Sequence, residues 1–411
     1  MNIVNARLRG REGLQRIELD GSRIAAITVQ QAPAEAGPGD LDAASNLVVP
    51  PFVEPHIHLD ATLTAGEPAW NMSGTLFEGI ERWSERKAQV THEDTKTRAR
   101  KTIDMLVEHG IQHVRTHVDV TDPTLSALKS MLEVREETRH LIDLQIVAFP
   151  QEGIESFNGG RELMAEAVAL GADVVGGIPH FENTREQGVS SIHFLMELAE
   201  RTGCLVDVHC DETDDPHSRF LEVLAEQARV RGMGARVTAS HTTAMGSYDN
   251  AYCSKLFRLL KLSKINFVSC PTESIHLQGR FDTFPKRRGL TRVAELDRAG
   301  LNVCFGQDSI VDPWYPLGNG NILRILDAGL HICHMLGYAD LQRCLDLVTD
   351  NSARTLNLGE RYGLEAGRPA NLLILSAPDD YELLRSQGQA LVSVRNGKVL
   401  MRRHPARIER Q

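Results

Sequence analysis

Val53-Glu54-Pro55-His56-Ile57-His58-Leu59-Asp60 closes the first long apolar run of the chain, and its reading decides the fold. In an extended strand side chains alternate faces, so His56 and His58 point the same way. Later apolar runs close on His209, on His241 and on Asp308. Two imidazoles at one strand end, two on later strands and one carboxylate make a cation site of borderline softness. Residues this far apart in sequence meet if the strands form one parallel barrel, whose strand ends converge at a single mouth.

The flanking sequence has the alternation such a barrel needs. Strands 1 to 8 are expected, in chain order, over 49–58, 112–120, 143–151, 172–180, 205–212, 236–242, 265–271 and 302–309. Helical patterns lie between them. Thr91-His92-Glu93-Asp94 is a capping-box-like start, Ala99, Ile103, Leu106 and Val107 give one apolar face, and Gly110 ends the helix. Stretches 161–170, 191–202 and 292–299 each run into a glycine in the same manner. Eight strand–helix units over residues 51–362 fit an α/β fold of the (β/α)8 type. A doubly wound open sheet is the alternative, but no glycine-rich dinucleotide fingerprint follows an early strand.

Both ends read as β-structure. Short strands are expected over 3–9, 14–19 and 23–29, with Asp20-Gly21 as a turn, followed by a Pro/Gly/Ala/Asp-rich loop at 31–42. Strands are expected again over 371–376 and 391–401, the second folded at the hairpin dipeptide Asn396-Gly397. Residues 1–50 and 363–411 are therefore expected to form one small β-sandwich domain beside the barrel.

Composition narrows the function. The chain has 411 residues, 42% hydrophobic and 24% charged, which is ordinary for a globular protein. A net charge of -10 argues against binding a nucleic-acid backbone. No secretory signal and no membrane-length apolar run is recognised, so a cytoplasmic location is expected. The seven cysteines contain no C-x-x-C pair and read as reduced core thiols.

An H-x-H pair alone is weak evidence for a metal, because the chain offers 16 histidines. The set is stronger, since catalytic groups of such barrels come from the C-terminal ends of several strands. His117, His180 and His276 also lie near strand ends and are taken as structural or supporting. Glu212 lies three residues beyond His209, where a carboxylate could shuttle a proton from water; read alone, it is a solvated acid in an acidic loop. Gln151 could read the edge of an amide-containing heterocycle, or simply cap its loop. Trp314 could wall a flat ring, or fill the barrel rim. Residues 172–180 contain no lysine, so no modified lysine can bridge two metals there and one ion is expected.

The residues at this point resemble a known family. VVPPFVEPHIHLD (48–60), SGTLFEGIERW (73–83), GIQHVRTHVDV (110–120), DLQIVAFPQEGI (143–154), VDVHCDE (206–212), GARVTASHTTAM (234–245) and IHLQGRFDTFPKRRG (275–289) are similar to the amidohydrolase superfamily, within it the bacterial cytosine deaminase group. The resemblance spans essentially the whole chain. It implies a metal-bearing barrel with a small β-sandwich, and His56, His58, His209 and Asp308 as ligands of one divalent ion, iron or zinc. It further implies Glu212 as proton shuttle, His241 as a contact of the attacking water, Gln151 on the pyrimidine carbonyl edge and the Leu76 carbonyl at a ring N–H. A homo-oligomer is implied too, a hexamer being the form expected, with residues 77–87 a candidate contact or a plain barrel-edge helix.

The chain departs from that group in its pocket. A second Asp usually follows the metal-binding one, and here Ser309 stands instead; Gln307 stands where His is usual, and the Ser269–Glu273 text differs. Serine in place of a carboxylate would free room at the pyrimidine C5 edge and spare a desolvated charge. The expected activity is hydrolytic deamination of a free base, cytosine or 5-methylcytosine, with release of ammonia. The H-x-E…P-C-x-x-C signature of the base-flipping zinc deaminases is missing. The alternatives are deamination of isoguanine, creatinine or an s-triazine, hydrolysis of a cyclic amide, and a non-catalytic barrel with a structural metal.

Overall fold

The computed structural model describes residues 1–406, 408 and 409. Eight parallel strands follow one another in sequence order around a single sheet: Phe52–Ile57, Ile111–Asp119, Asp143–Phe149, Val174–Gly177, Leu205–Cys210, Val237–His241, Asn266–Ser269 and Val303–Phe305. The sheet closes into a barrel through a parallel bridge between Ile57 and Asp308. There the Asp308 N–H donates to the His56 carbonyl at 2.8 Å and the His58 N–H donates to the Asp308 carbonyl at 3.1 Å. The seam between the first and last strands is thus made by the residues singled out as metal ligands.

Local sequence explains the elements. Thr91 caps the helix His92–Glu108, its hydroxyl accepting from the Asp94 N–H at 3.2 Å. Ala99, Ile103 and Leu106 on that helix are fully buried against the barrel wall. In strand 1, Pro55 has no N–H, and the ladder with strand 2 shifts register between Glu54 and Ile57. The neighbouring His56 N–H donates to the Glu54 carboxyl at 3.1 Å instead.

Strands 4 and 8 are shorter than the sequence suggested. Strand 4 stops at Gly177, two residues before Pro179, which cannot donate to a ladder. Strand 8 stops at Phe305, and Asp308 follows with φ +70°. His241 (+67°) and Asp211 (+51°) also lie in the left-handed region, which L-residues seldom occupy. Such backbone turns side chains out of the wall and toward the mouth, and it clusters at functional sites.

The termini build two four-stranded sheets. One orders Arg23–Gln30, Leu14–Asp20, Asn2–Ala6 and Leu41–Asp42; the other orders Lys398–Arg402, Ala390–Arg395, Leu372–Leu375 and Val48–Val49. Ile3, Ile17, Ile24, Leu372, Ile374 and Val394 fill the space between them as a separate core. The short strand Leu41–Asp42 lies at the end of the stretch read as loop. Asn396 and Gly397 both take positive φ, the two-residue turn that their sequence predicts.

The helix Leu76–Lys87 belongs to the barrel edge as far as Ile80 and Trp83 are concerned. Both are buried, in a cluster with Ala61, Leu277 and Trp314. Trp83 Nε1 donates to Asp119 at 3.0 Å, which ties the helix to the end of strand 2. The cysteines are free, and five of the seven are buried. No helix among the described residues is long and apolar enough to cross a membrane.

Candidate metal and substrate site

His56, His58, His209, His241 and Asp308 converge at the C-terminal mouth of the barrel. His56 Nε2 and His58 Nε2 lie 3.3 and 3.1 Å from His209 Nε2, and both lie 3.3 Å from Asp308 Oδ1. Four ligands at tetrahedral corners about an ion with ~2.0–2.1 Å bonds are about 3.3–3.4 Å apart. These four donors are therefore spaced to fit one small divalent ion. His241 also comes within 4.8 Å of His56, His209 and Asp308 through its ring nitrogens. Its Nδ1 stands 3.6 Å from Asp308 Oδ2 and 3.7 Å from Glu212 Oε1, between the carboxylate of the cluster and the candidate shuttle.

The rings of the cluster differ in protonation: burial would lower His58, but its hydrogen bond to Asp308 and the Asp308 charge raise it above the usual imidazole range, while the other three are lowered. Burial pushes His56 down to about 4 and His241 to about 3, and holds His209 well below the usual imidazole range. Burial alone would raise Asp308, but His56 and His241 hold it well below the carboxylate range. Neutral imidazoles beside an ionised carboxylate are the forms that ligate metal.

The tautomer of His56 is set from behind. Ser240 Oγ donates to Asp207 Oδ1 at 2.6 Å, since a carboxylate can only accept. The same Oγ, its proton spent, accepts from His56 Nδ1 at 3.0 Å. Nε2 of His56 is left unprotonated and faces the cluster. Asp207 is held ionised: burial would raise it, yet His117 and Arg115 keep it well below the carboxylate range. Arg115 Nη1 donates to Asp207 at 2.8 Å, and both side chains are fully buried. His117 stacks on His56 with ring centroids 3.8 Å apart. Below the mouth, the buried Glu54 accepts from the Gln307 amide at 3.0 Å and from its N–H at 3.1 Å, so Gln307 is a partner of strand 1 and not a cavity group.

A cavity opens above the cluster. Gln151, Leu76, Glu212, Ser309 and Trp314, the five groups singled out for substrate and proton, all line it. Gln151 lies two residues beyond the end of strand 3, and Glu212 two beyond strand 5. Burial, reinforced by the Asp308 charge, pushes the Glu212 carboxyl well above its usual range, so it can carry a proton at neutral pH. Trp314 packs its edge on Gly79 of the helix Leu76–Lys87, where a Cβ would lie 2.3 Å from Trp314 Cδ1.

Sequence reading missed several residues of the site. Asp207 and Arg115 had a detectable signal, since they precede His209 and His117 by two and so share their barrel face, whereas Ser240, one residue before His241, had none. Glu273 and Asp312, two further buried acids at the mouth, had none beyond their place after strands 7 and 8.

Comparison with known proteins agrees with this arrangement. The chain is similar to 5-methylcytosine deaminase from Klebsiella pneumoniae, solved with 5-fluorocytosine and with phosphonocytosine. For the 5-fluorocytosine structure the identity is 72%, covering 100% of this chain and 99% of that one, with a TM-score of 0.99. N-isopropylammelide isopropylaminohydrolase from Burkholderia multivorans is 27% identical, covers 98% of each chain and superposes with a TM-score of 0.82. N-isopropylammelide isopropyl amidohydrolase of Pseudomonas sp. strain ADP is 29% identical over 406 residues, 97% of this chain and 96% of that protein. The model of the amidohydrolase family matches residues 41–401, and with its barrel and buried histidine–aspartate cluster the chain belongs to that family.

Proposed function

We propose that the chain is a metal-dependent hydrolytic deaminase of free pyrimidine bases that prefers a C5-substituted cytosine, 5-methylcytosine first, over cytosine. The observation that carries this reading is Ser309, buried at the cavity wall next to Asp308, where a short neutral side chain leaves room for a methyl group. The likeness to 5-methylcytosine deaminase over the whole chain supports it.

His56, His58, His209 and Asp308 would hold one divalent ion, iron or zinc, which when bound acidifies water and so makes a nucleophile available near pH 7. Glu212 takes one proton of the attacking water and delivers it to ring N3 as C4 becomes tetrahedral; it then takes the second proton from the new C4 hydroxyl and passes it to the amine, so that the C4–N bond breaks, the C4 carbonyl forms and ammonia leaves. His241 and Asp308 orient the water. Gln151 receives the carbonyl edge, the Leu76 carbonyl accepts from a ring N–H, and Trp314 walls the ring. The products are thymine and ammonia from 5-methylcytosine. A cytoplasmic homo-oligomer of six chains is part of the same proposal; the exposed Phe281 and Phe284 beyond the helix Pro271–Leu277 support self-association.

A second reading is deamination of another aminated heterocycle such as an s-triazine, supported by the full-length likeness to the N-isopropylammelide enzymes. Ammonia release by the metal-loaded protein on cytosine, 5-methylcytosine and ammelide-type triazines, compared as kcat/KM, separates the two. A larger value for 5-methylcytosine is expected. A larger value for cytosine discards the argument from Ser309, and turnover of triazines alone replaces the substrate class.

A further inference from the structure

One ionisable side chain of the cavity has no part in these proton transfers. Glu273 sits on the short helix Pro271–Leu277 that follows strand 7, is 1% exposed, and lines the cavity beside Ser309. Its Oε2 has no hydrogen-bond partner among the described residues. A buried, unpaired carboxyl oxygen is costly, and it is retained where a ligand completes it.

Barrel geometry sets what that oxygen faces. In an eight-stranded barrel, strands 3 and 7 stand opposite each other. Gln151 follows strand 3 and Glu273 follows strand 7. C2 and C5 are likewise opposite corners of a pyrimidine. A cytosine with its C2 carbonyl on Gln151 therefore aims C5 at Glu273. The remaining stations run in the same order: Glu212 after strand 5 for N3, His241 at strand 6 for C4, Ser309 after strand 8 on the C5–C6 side, and Leu76 after strand 1 for N1.

We infer that Glu273 is a second specificity-determining residue of the C5 subsite, contacting the substituent through Oε2, and that the substrates extend to cytosines with a short hydroxyl-bearing C5 group, hydroxymethyl being the smallest. This rests on the pyrimidine deaminase reading. Two of the three places where the sequence leaves the family pattern, the text after strand 7 and Ser309, meet on this one side of the cavity, while the third, Gln307, lies outside its lining. Charge agrees with the assignment. Burial, and then the charges of Asp308, Asp312 and Glu212, push the Glu273 carboxyl well above its usual range, against the pull of the Ser309 hydroxyl. The neighbouring Asp312, which also borders Ser309, is pushed up to about 7 by its burial. A neutral carboxylic acid lays no charge against a methyl group, and it can donate to or accept from a hydroxyl.

The test compares 5-methylcytosine and 5-hydroxymethylcytosine as substrates of the metal-loaded wild type, Glu273→Leu and Glu273→Gln, and compares thymine and 5-hydroxymethyluracil as competitive inhibitors of the wild type. The wild type is expected to use both bases with kcat/KM values within about tenfold, the range one matched polar contact spans. Glu273→Leu should lower kcat/KM for the hydroxymethyl substrate roughly 10–100-fold more than for the methyl one, and Glu273→Gln should keep most of the hydroxymethyl activity. Should the leucine variant fail to fold, inhibition decides: 5-hydroxymethyluracil must bind the wild type at least as well as thymine. Turnover of 5-methylcytosine without turnover of 5-hydroxymethylcytosine, equal losses for both bases in Glu273→Leu, or inhibition by thymine alone overturns the inference and leaves the deaminase reading standing. Silence on both bases overturns the two together.

Discussion

Gly79→Ala is a one-methyl change that should damage the site without touching substrate. Gly79 lies inside the helix Leu76–Lys87, where Ala normally stabilises by about 1 kcal/mol over Gly. Here the added Cβ would stand 2.3 Å from Cδ1 and 2.6 Å from Nε1 of Trp314, against 3.4 Å for ordinary contact. The indole must retreat by about 1 Å. Trp314 is buried with His58 at 6.2 Å and Trp83 at 6.4 Å between ring centroids, so the space open to it is the substrate cavity. Overpacking of this kind costs roughly 1–3 kcal/mol, which outweighs the propensity gain and leaves the variant about 0–2 kcal/mol less stable. A misplacement of about 1 Å at a positioning residue costs up to ~10²-fold in rate. Steady-state ammonia release should show kcat/KM down roughly 10–100-fold, mostly in KM, with a lowered Tm. Trp314→Leu removes the overlap at its own cavity cost, so Gly79→Ala should lower Tm less in that background than in wild type, and the double variant should not regain activity. A Gly79→Ala protein with raised Tm and unchanged kcat/KM would refute the packing argument outright.

Three further outcomes rest on the same geometry. Glu212→Gln should lower kcat by roughly 10²–10⁴-fold with metal content unchanged, because Glu212 lies outside the four-donor cluster; loss of metal in elemental analysis would reassign it. Ser240→Ala removes the acceptor that fixes the His56 tautomer, and should weaken metal affinity about 10–100-fold in competition with a chelator while the fold persists; unchanged affinity sinks the relay. Asp380, buried beside Arg9, is pushed up to about 6 from 3.8, by burial first, with Arg9 pulling down and Asp346 pushing up. The native state thus holds a proton that the unfolded chain has released. Its stabilising effect is full below about pH 4 and is lost as pH rises through 6, on the order of 3 kcal/mol. The Tm of Asp380→Asn should gain on wild type across that interval, and a difference independent of pH would contradict it.

The barrel was legible because its signals are local and repeated. Each strand is a short apolar run, each helix has a cap or a terminal glycine, and the histidines mark which strand end is the mouth. His56 and His58 were legible together because period two survives the register shift at Pro55. Strand limits were less so: the left-handed backbone at Asp308 and His241 ends pairing, and although Asp and His enter that region more readily than most residues, nothing in the sequence marks these two among the many Asp and His of the chain. The support of the site was hidden for another reason. Arg115, Asp207 and Ser240 come from three strands, and only the closed barrel joins them in one hydrogen-bonded chain behind His56. Ile80 and Trp83 were ambiguous because an amphipathic helix does not say whether its apolar stripe meets its own barrel or a neighbour.

The seam at Ile57 and Asp308 has a consequence for how the molecule comes into being. During synthesis strand 1 emerges with its two histidines some 250 residues ahead of the aspartate that completes the set. Joining them closes the longest loop in the barrel, a step whose entropic cost grows only slowly with loop length. The four donors therefore exist as a set only in a finished barrel. With the proposed ligand set, a chain arrested at seven strands would lack the carboxylate and offer a metal no complete site.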